Sequence, residues 1–370
     1  MATDKFRCSI LLLNALIAFL LLITSFPVFA GSSGTRPGLS PRTATDYIHA
    51  VIQADRRVYS HDIVARLSKL GVIKATENWE QDNTLLLPAQ FLLKSAELSN
   101  ERGIGMRYYL TSLWPINKKN SPKSENEITG LQEISRNPKE PFTWIVKEGN
   151  RWFYQAIYPD IATSESCVTC HNNHPKSPKK SFRVGDVMGG ILINLPLGKQ
   201  EKHAELGKHQ FPPEIISDYV HSILASDREI YSKYIVDRLK NQNIIQASEN
   251  WWADKTLPLP AQFLLNASQL VEKRKLGIHF RLISLWPINP QNGPANEFEH
   301  TGLETVETHP IRPYIGISKI GKKTYFKAVY PDFAVTQGCV DCHNAYPGSP
   351  KTDFKLNDVM GGIAVSLAIK

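Results

Sequence analysis

Two short strings hold the residues whose types and spacing could do chemistry: Cys167-Val168-Thr169-Cys170-His171 and Cys339-Val340-Asp341-Cys342-His343. Cysteines three positions apart project on one side of a helical turn or tight loop. Their sulfurs can form thioethers with the two vinyl groups of a heme, and the histidine that follows can supply an imidazole nitrogen beneath the iron. The strings therefore predict two covalent heme c groups. Cys167, Cys170, Cys339 and Cys342 would be the attachment residues, and His171 and His343 the proximal iron ligands. Three other readings compete. One zinc ion could take all four thiolates, but each string would have to leave its own domain to meet the other. Two redox-active disulfides would leave the histidines idle, and nothing nearby resembles a thioredoxin βαβ unit. Chance spacing is the third, and recurrence at equivalent positions weighs against it.

The elements that carry these strings come in two copies. Cys339 follows Cys167 by the same interval that carries Asp46-Tyr47 to Asp218-Tyr219, Glu77-Asn78-Trp79 to Glu249-Asn250-Trp251 and Pro88-Ala89-Gln90-Phe91 to Pro260-Ala261-Gln262-Phe263. Ser112-Leu113-Trp114-Pro115-Ile116-Asn117 and Asp186-Val187-Met188-Gly189-Gly190-Ile191 recur in the same register. A period this long means whole duplicated domains, since solenoid units run only about 20–50 residues. The boundaries read as 31–199 and 200–370, with a linker near 198–213 that is rich in Lys and His and ends in Pro212-Pro213. Each unit is expected to hold its own core.

Within a unit, Ile48, Val51, Ile52, Val58, Ile63, Val64 and Leu67 recur at helical spacing. A second helix is expected from Ala89 to Glu101, after a proline suited to a first turn. Arg107–Leu113 reads as a strand. Thr143–Val146 and Trp152–Tyr154 read as a hairpin across Glu148-Gly149-Asn150, and Ile191–Leu195 as a last strand. Helices first and mostly antiparallel strands after them predict an α+β class. The Cys-x-x-Cys-His string falls between the hairpin and the last strand, on a short helix.

The chain has 370 residues, 42% of them apolar, enough for substantial cores and for two or three domains. Residues 1–30 stand apart. Lys5 and Arg7 precede an apolar run, and small residues follow near Ala30, the layout of a secretory signal peptide. The fifth cysteine, Cys8, would leave with it. Export predicts a periplasmic or otherwise extracytoplasmic location, with membrane attachment only if the leader stays uncleaved. The 43 Lys and Arg exceed the 35 Asp and Glu without forming a basic tract, so the excess reads as a surface field and not as a nucleic-acid site.

The combined run of Ser-Leu-Trp-Pro-Ile-Asn, Tyr-Pro-Asp, Cys-x-x-Cys-His-Asn and Asp-Val-Met-Gly-Gly resembles the exported PAS-like c-type heme family. That family, the Tll-type heme domain, was first known only as a domain of unknown function. The resemblance covers nearly all of both units and implies a PAS-like α+β fold in two tandem copies. It also implies covalent heme and a role in redox sensing or electron transfer. One departure matters. A cyanobacterial member of the family uses a cysteine as second axial ligand, and this mature chain has none to spare.

Candidates for that second position must recur in both units. His49 and His221 do, whereas His174 becomes Tyr346, His61 becomes Lys233 and Arg107 becomes His279. At 3.6 residues per turn Ile52, Arg56, Tyr59 and Ile63 share the face of His49, and Leu224, Arg228, Tyr231 and Ile235 that of His221. Such a face would suit a heme wall, with Arg56 and Arg228 pairing propionates and Tyr59 and Tyr231 lining the pocket. His49 and His221 can equally be hydrogen-bonded structural residues. Met188 and Met360 are the alternative ligands, although the adjoining glycines suggest a bulge with methionine as packing.

Three functions fit. A diheme cytochrome c would carry electrons to a redox partner protein. A sensor would bind a diatomic gas or report redox state to a separate signalling protein, because no output segment is present. A diheme peroxidase-like enzyme is the third, less suited to two units that repeat almost every candidate ligand.

Overall fold

The computed structural model describes residues 38–198 and 209–369. The expected leader at 1–30 and most of the expected linker lie outside the described residues. The first repeat opens with the long helix α1 (Pro41–Arg57), which runs on through a π-helical stretch (Val58–Ala65) into the short α2 (Arg66–Lys69). Ser40 caps α1 by accepting from the Thr43 amide, and Pro41 occupies its first turn, where a missing N–H costs nothing. A parallel pair of two-residue strands, β1 (Ala75–Thr76) and β2 (Leu85–Leu86), leads to α3 (Pro88–Glu101). Pro88 starts α3, and the Gln90 side chain reaches back to the Leu87 amide at 3.0 Å. Then come β3 (Arg107–Thr111), α4 (Glu125–Arg136), β4 (Phe142–Glu148), β5 (Arg151–Ile161), α5 (Glu165–Asn173) and β6 (Val187–Gly198).

The second repeat runs in the same order. It begins with α6 (Pro213–Ile230), a π-helical stretch (Tyr231–Asp237) and α7 (Arg238–Asn241), followed by β7 (Ala247–Ser248), β8 (Leu257–Pro258) and α8 (Pro260–Lys273). It ends with β9 (Ile278–Ile283), α9 (Glu297–Thr308), β10 (Tyr314–Ile320), β11 (Lys323–Phe333), α10 (Gln337–Ala345) and β12 (Val359–Ala368). The α+β expectation holds in both copies, each a long helix followed by a four-stranded antiparallel sheet, in the orders β3-β6-β5-β4 and β10-β11-β12-β9. Alternation along β5 sends Ala156 and Tyr158 towards α1, and Ile157 towards Leu131 and Ile134 of α4. Gly130 lets α4 come close, because a Cβ there would lie 2.8 Å from Ile157. Among the described residues no helix is long and apolar enough to cross a membrane.

The bulge expected from the glycines is present. Asp160 pairs with Gly189 but Ile161 pairs with Val187, which leaves Met188 as the extra residue, and the second repeat slips between Asp332 and Phe333. Gly189 is required there, since a Cβ would lie 2.7 Å from the Thr111 carbonyl.

The main core is arranged differently from the expectation of one core per repeat. Small clusters belong to single repeats, but the largest apolar cluster runs through the helical layers of both. α3 lies against α6, α8 against α1, and α1 against α6. Equivalent residues meet each other. Leu39 and Phe211 exchange backbone hydrogen bonds of 2.9 and 2.8 Å, and the Phe91 and Phe263 rings meet edge-on at 5.9 Å. Such self-pairing is the signature of an isologous, two-fold contact, here made within one chain. Arg66 of α2 donates to the Trp251 and Thr256 carbonyls and covers the Trp251 ring at 4.7 Å. Arg238 returns the same grip on Trp79 and Thr84. Apolar patterning within each repeat could not reveal this, because the same buried stripe serves an internal or a shared core.

Candidate functional site

Both Cys-x-x-Cys-His strings lie on nine-residue helices, α5 and α10, between the hairpin and the last strand. Spacings of three and four put Cys167, Cys170 and His171 on one face of α5, as they do Cys339, Cys342 and His343 on α10. Ser164 and Thr336 precede the helices and contact the first thiol, at 3.3 Å and 3.2 Å. All four thiols are free, with Cys170 and Cys342 exposed. The following asparagine fastens the return loop. Asn172 donates to the Phe182 carbonyl at 2.9 Å and accepts from its amide at 3.0 Å, and Asn344 does the same with Phe354. Phe182 then stands edge-on to His171 at 6.0 Å, as Phe354 does to His343.

Beneath each helix is a small apolar cluster. Val168, Phe182, Met188 and Ala162 form it with Trp114 and Cys167, and Val340, Phe354, Met360 and Ala334 form it with Trp286 and Cys339. Met188 and Met360 thus lie in the same packing unit as the attachment residues. Ser112 holds the bulge by donating to the Met188 carbonyl at 2.6 Å, and Ser284 does so for Met360 at 2.7 Å.

Burial holds the His171 imidazole below the ordinary histidine range, against an upward pull from Asp160. Burial likewise lowers His343, helped by the Arg228 charge. Both rings are therefore neutral at physiological pH and keep a lone pair for a metal. Burial raises the Cys170 thiol, with Cys167 and Glu77 adding to it. Glu77 also meets His174 at 3.1 Å, while Glu249 accepts from the Tyr346 hydroxyl at 2.9 Å. The histidine-to-tyrosine exchange between the repeats thus preserves one contact.

The Arg56 guanidinium forms a two-pronged pair with Asp160 (Nη2 to Oδ2 2.9 Å), and Arg228 meets Asp332 at 3.0 Å. These aspartates close the Tyr-Pro-Asp runs, whose role was not legible in the sequence, and the Arg56–Asp160 pair borders His171. Tyr59 and Tyr231 lie in the π-helical stretches that continue α1 and α6. Both are fully buried, their hydroxyls donate to the Leu86 and Pro258 carbonyls at 2.9 and 2.7 Å, and Tyr59 stacks on Phe91.

His49 stacks on Tyr158 at 3.9 Å and His221 on Tyr330 at 4.1 Å, each with its Nε2 buried and without a hydrogen-bond partner. Burial, then Arg274 of the other repeat, depresses the His49 basicity, and burial, then Arg102, pushes His221 down to about 3. His49 lies seven residues before Arg56, about 10 Å along the helix at 1.5 Å per residue.

The sequence profile of the family described as Tll0287-like matches residues 40–196 and again 214–368. The chain belongs to the Tll0287-like family. Its two matched segments contain the two repeats described above. Among solved structures, the chain is similar to the crystal structure of the cyanobacterial heme-protein Tll0287 at 20% identity. That match covers 44% of this chain and 99% of that one, with a TM-score of 0.30. The comparison with curated proteins gave no match.

The residues present fit a heme. Each repeat offers two free thiols and a neutral imidazole on one helical face. Each also has a thioether in the underlying cluster and an orphaned, buried imidazole nitrogen on the long helix.

Proposed function

We propose that the chain is an exported diheme c-type cytochrome acting in electron transfer or in redox or gas sensing. The duplicated α5 and α10 carry this reading, because both strings fold into the same helix with the same pinned loop and the same aromatic edge on the histidine. Cys167 and Cys170 would tether one heme and Cys339 and Cys342 the other, with His171 and His343 as proximal ligands. A heme so held supplies one-electron chemistry. The chain's own part is to hold each imidazole neutral and fixed. Phe182 and the Asn172-pinned loop flank the His171 ring, and the Arg56–Asp160 pair sets the charge beside it.

His49 and Met188 offer different chemistry for the second axial position. The orphaned Nε2 of His49 supports a bis-histidine iron of lower potential, while the place of Met188 beside Cys167 supports His/Met ligation of higher potential. The ring stack on Tyr158 and the exposure to Arg274 give His49 a structural role as well.

The test is an absorption spectrum of protein matured with heme-attachment machinery, oxidised and then reduced, with heme staining after denaturing electrophoresis. Two covalent hemes are expected, and replacing Cys339 and Cys342 with Ser should halve the content. Stoichiometric zinc without iron would overturn the reading. His49→Ala or Met188→Leu, whichever opens one iron to carbon monoxide, identifies the axial ligand. Carbon monoxide binding to the unaltered ferrous protein would favour sensing over transfer.

A further inference from the structure

Asp55 of α1 and Asp227 of α6 occupy equivalent positions in the two repeats and meet across the seam. They are 1% and 4% exposed, and their side chains come within hydrogen-bonding reach of each other. No N–H or O–H donor reaches either Asp55 oxygen. An ionised carboxylate can only accept hydrogen bonds, so two of them facing each other in a dry seam would be two repelling acceptors with nothing between. A hydrogen on one of them turns that contact into a donor–acceptor pair.

The surroundings suit a proton and no larger ion. The buried Tyr108 hydroxyl has no partner and shares a narrow crevice with Asp227, Arg56, Ile52, Phe91 and Leu92. Ser95 of α3 stands beside Asp227. Charged groups facing the pair are few. Tyr108 of β3 is a titratable neighbour whose acidity both aspartates affect. Arg56 shares the crevice but gives its guanidinium to Asp160, and Arg228 gives its own to Asp332. α3 contributes the Ser95 hydroxyl, and the Ser226 hydroxyl, one residue before Asp227 on α6, is also buried.

We propose that Asp55 and Asp227 form a proton-binding site in the seam: Asp55 holds a proton that it donates to Asp227, a second proton is taken up as pH falls, and the protonated pair holds the two repeats together. Each proton comes from bulk water and returns to it. Burial, with the neighbouring carboxyl's charge next, pushes Asp55 well above the ordinary carboxylate range, and burial pushes Asp227 up as well. A carboxyl raised in the folded state gives stability that is complete below the unfolded value, about 4, and is lost as pH rises through the folded value.

The experiment uses the full chain. Infrared spectra of protein with isotope-labelled aspartate should show the carbonyl stretch of a protonated carboxylic acid at about pH 7, well above where exposed aspartates ionise. The band should vanish when Asp55→Asn and Asp227→Asn are combined. Denaturant unfolding between about pH 4 and 7 should show the unfolding constant rising about tenfold per pH unit for each carboxyl protonated only in the fold. In the double variant, whose side chains keep the same size and carry their own donors, that component of the rise should disappear. Absence of the band from the unaltered protein, its survival in the double variant, or identical pH slopes for the two proteins would each overturn the proposal. The spectrum of the unaltered chain keeps the proposal testable even if the variant does not fold.

Discussion

Where α3 of the first repeat meets α6 of the second, Ser99 and Ser222 hydrogen-bond at 2.8 Å, with Ser95, Ser226 and Tyr108 buried close by. The equivalent meeting of α8 with α1 puts Val271 and Ala50 in place of the bonded serines, and Ala267, Ala54 and Phe280 in place of the other three. One side of the seam is lined with hydroxyls and the other with methyl groups and rings. Elsewhere the copies agree closely: both attachment helices, both bulges and both arginine grips on a tryptophan recur. In a dimer of identical chains every seam residue would appear twice about the axis. Joining the copies in one chain frees each side of the seam to differ, and here the difference surrounds the Asp55–Asp227 pair.

The largest expected effects come from breaking what the two sides share. Phe91 is fully buried, stacks on Tyr59 and meets Phe263 on the axis. Phe91→Ala should cost about 3–5 kcal/mol. Because the core is common, calorimetry should show both repeats melting earlier together. Loss confined to one transition would mean that the repeats are energetically separate.

Next is a difference between equivalent ion pairs. Arg228 and Asp332 are 9% and 8% exposed in their side chains, against 23% and 13% for Arg56 and Asp160. Removing one partner of a buried pair strands the other charge, so Asp332→Ala should cost about 3–5 kcal/mol. Asp160→Ala should cost clearly less, because water reaches Arg56. Equal losses in denaturant unfolding would show that the exposure difference has no energetic weight.

These contrasts mark how far the sequence could be read. The Cys-x-x-Cys-His strings, the duplication, the order of helices before strands and the bulge at Met188 were legible because each rests on local spacing. Asp55 and Asp227 drew no notice, since a lone aspartate on a helix reads as solvated until its counterpart in the other copy is brought against it. The shared core escaped for the same reason: it depends on how two copies meet, which periodicity inside either copy cannot encode.

A smaller effect is expected from making the two sides alike. Ser99→Ala alone should cost about 1–3 kcal/mol by leaving the Ser222 hydroxyl buried and unpaired. Ser99→Val with Ser222→Ala, which copies the apolar side, should be nearly neutral, since both partners leave together. A double-mutant cycle measures the coupling, and additive losses would mean that the hydrogen bond is not the source.

The smallest effect lies at the outer edge of the seam. Arg102, at the end of α3, meets Glu229 of α6 at 3.4 Å. At the equivalent place on the other side Arg274 faces Arg57, an exposed cation where the second repeat has Glu229. Burial lowers the Arg274 basicity, Asp46 and Tyr158 oppose that, and Arg57 adds to the lowering. One side thus ends on an attraction and the other on a repulsion. Arg57→Glu copies the second repeat's residue into the first and should turn that repulsion into an exposed ion pair, a gain of up to about 1 kcal/mol. Glu229→Arg makes the reverse change and should lose a similar amount. Both effects should fade as salt is raised, because exposed charges are screened beyond about 8–10 Å at moderate ionic strength. Thermal melts at low and high salt provide the measurement. A stabilisation by Arg57→Glu that is independent of salt would trace to packing and remove charge from this part of the comparison.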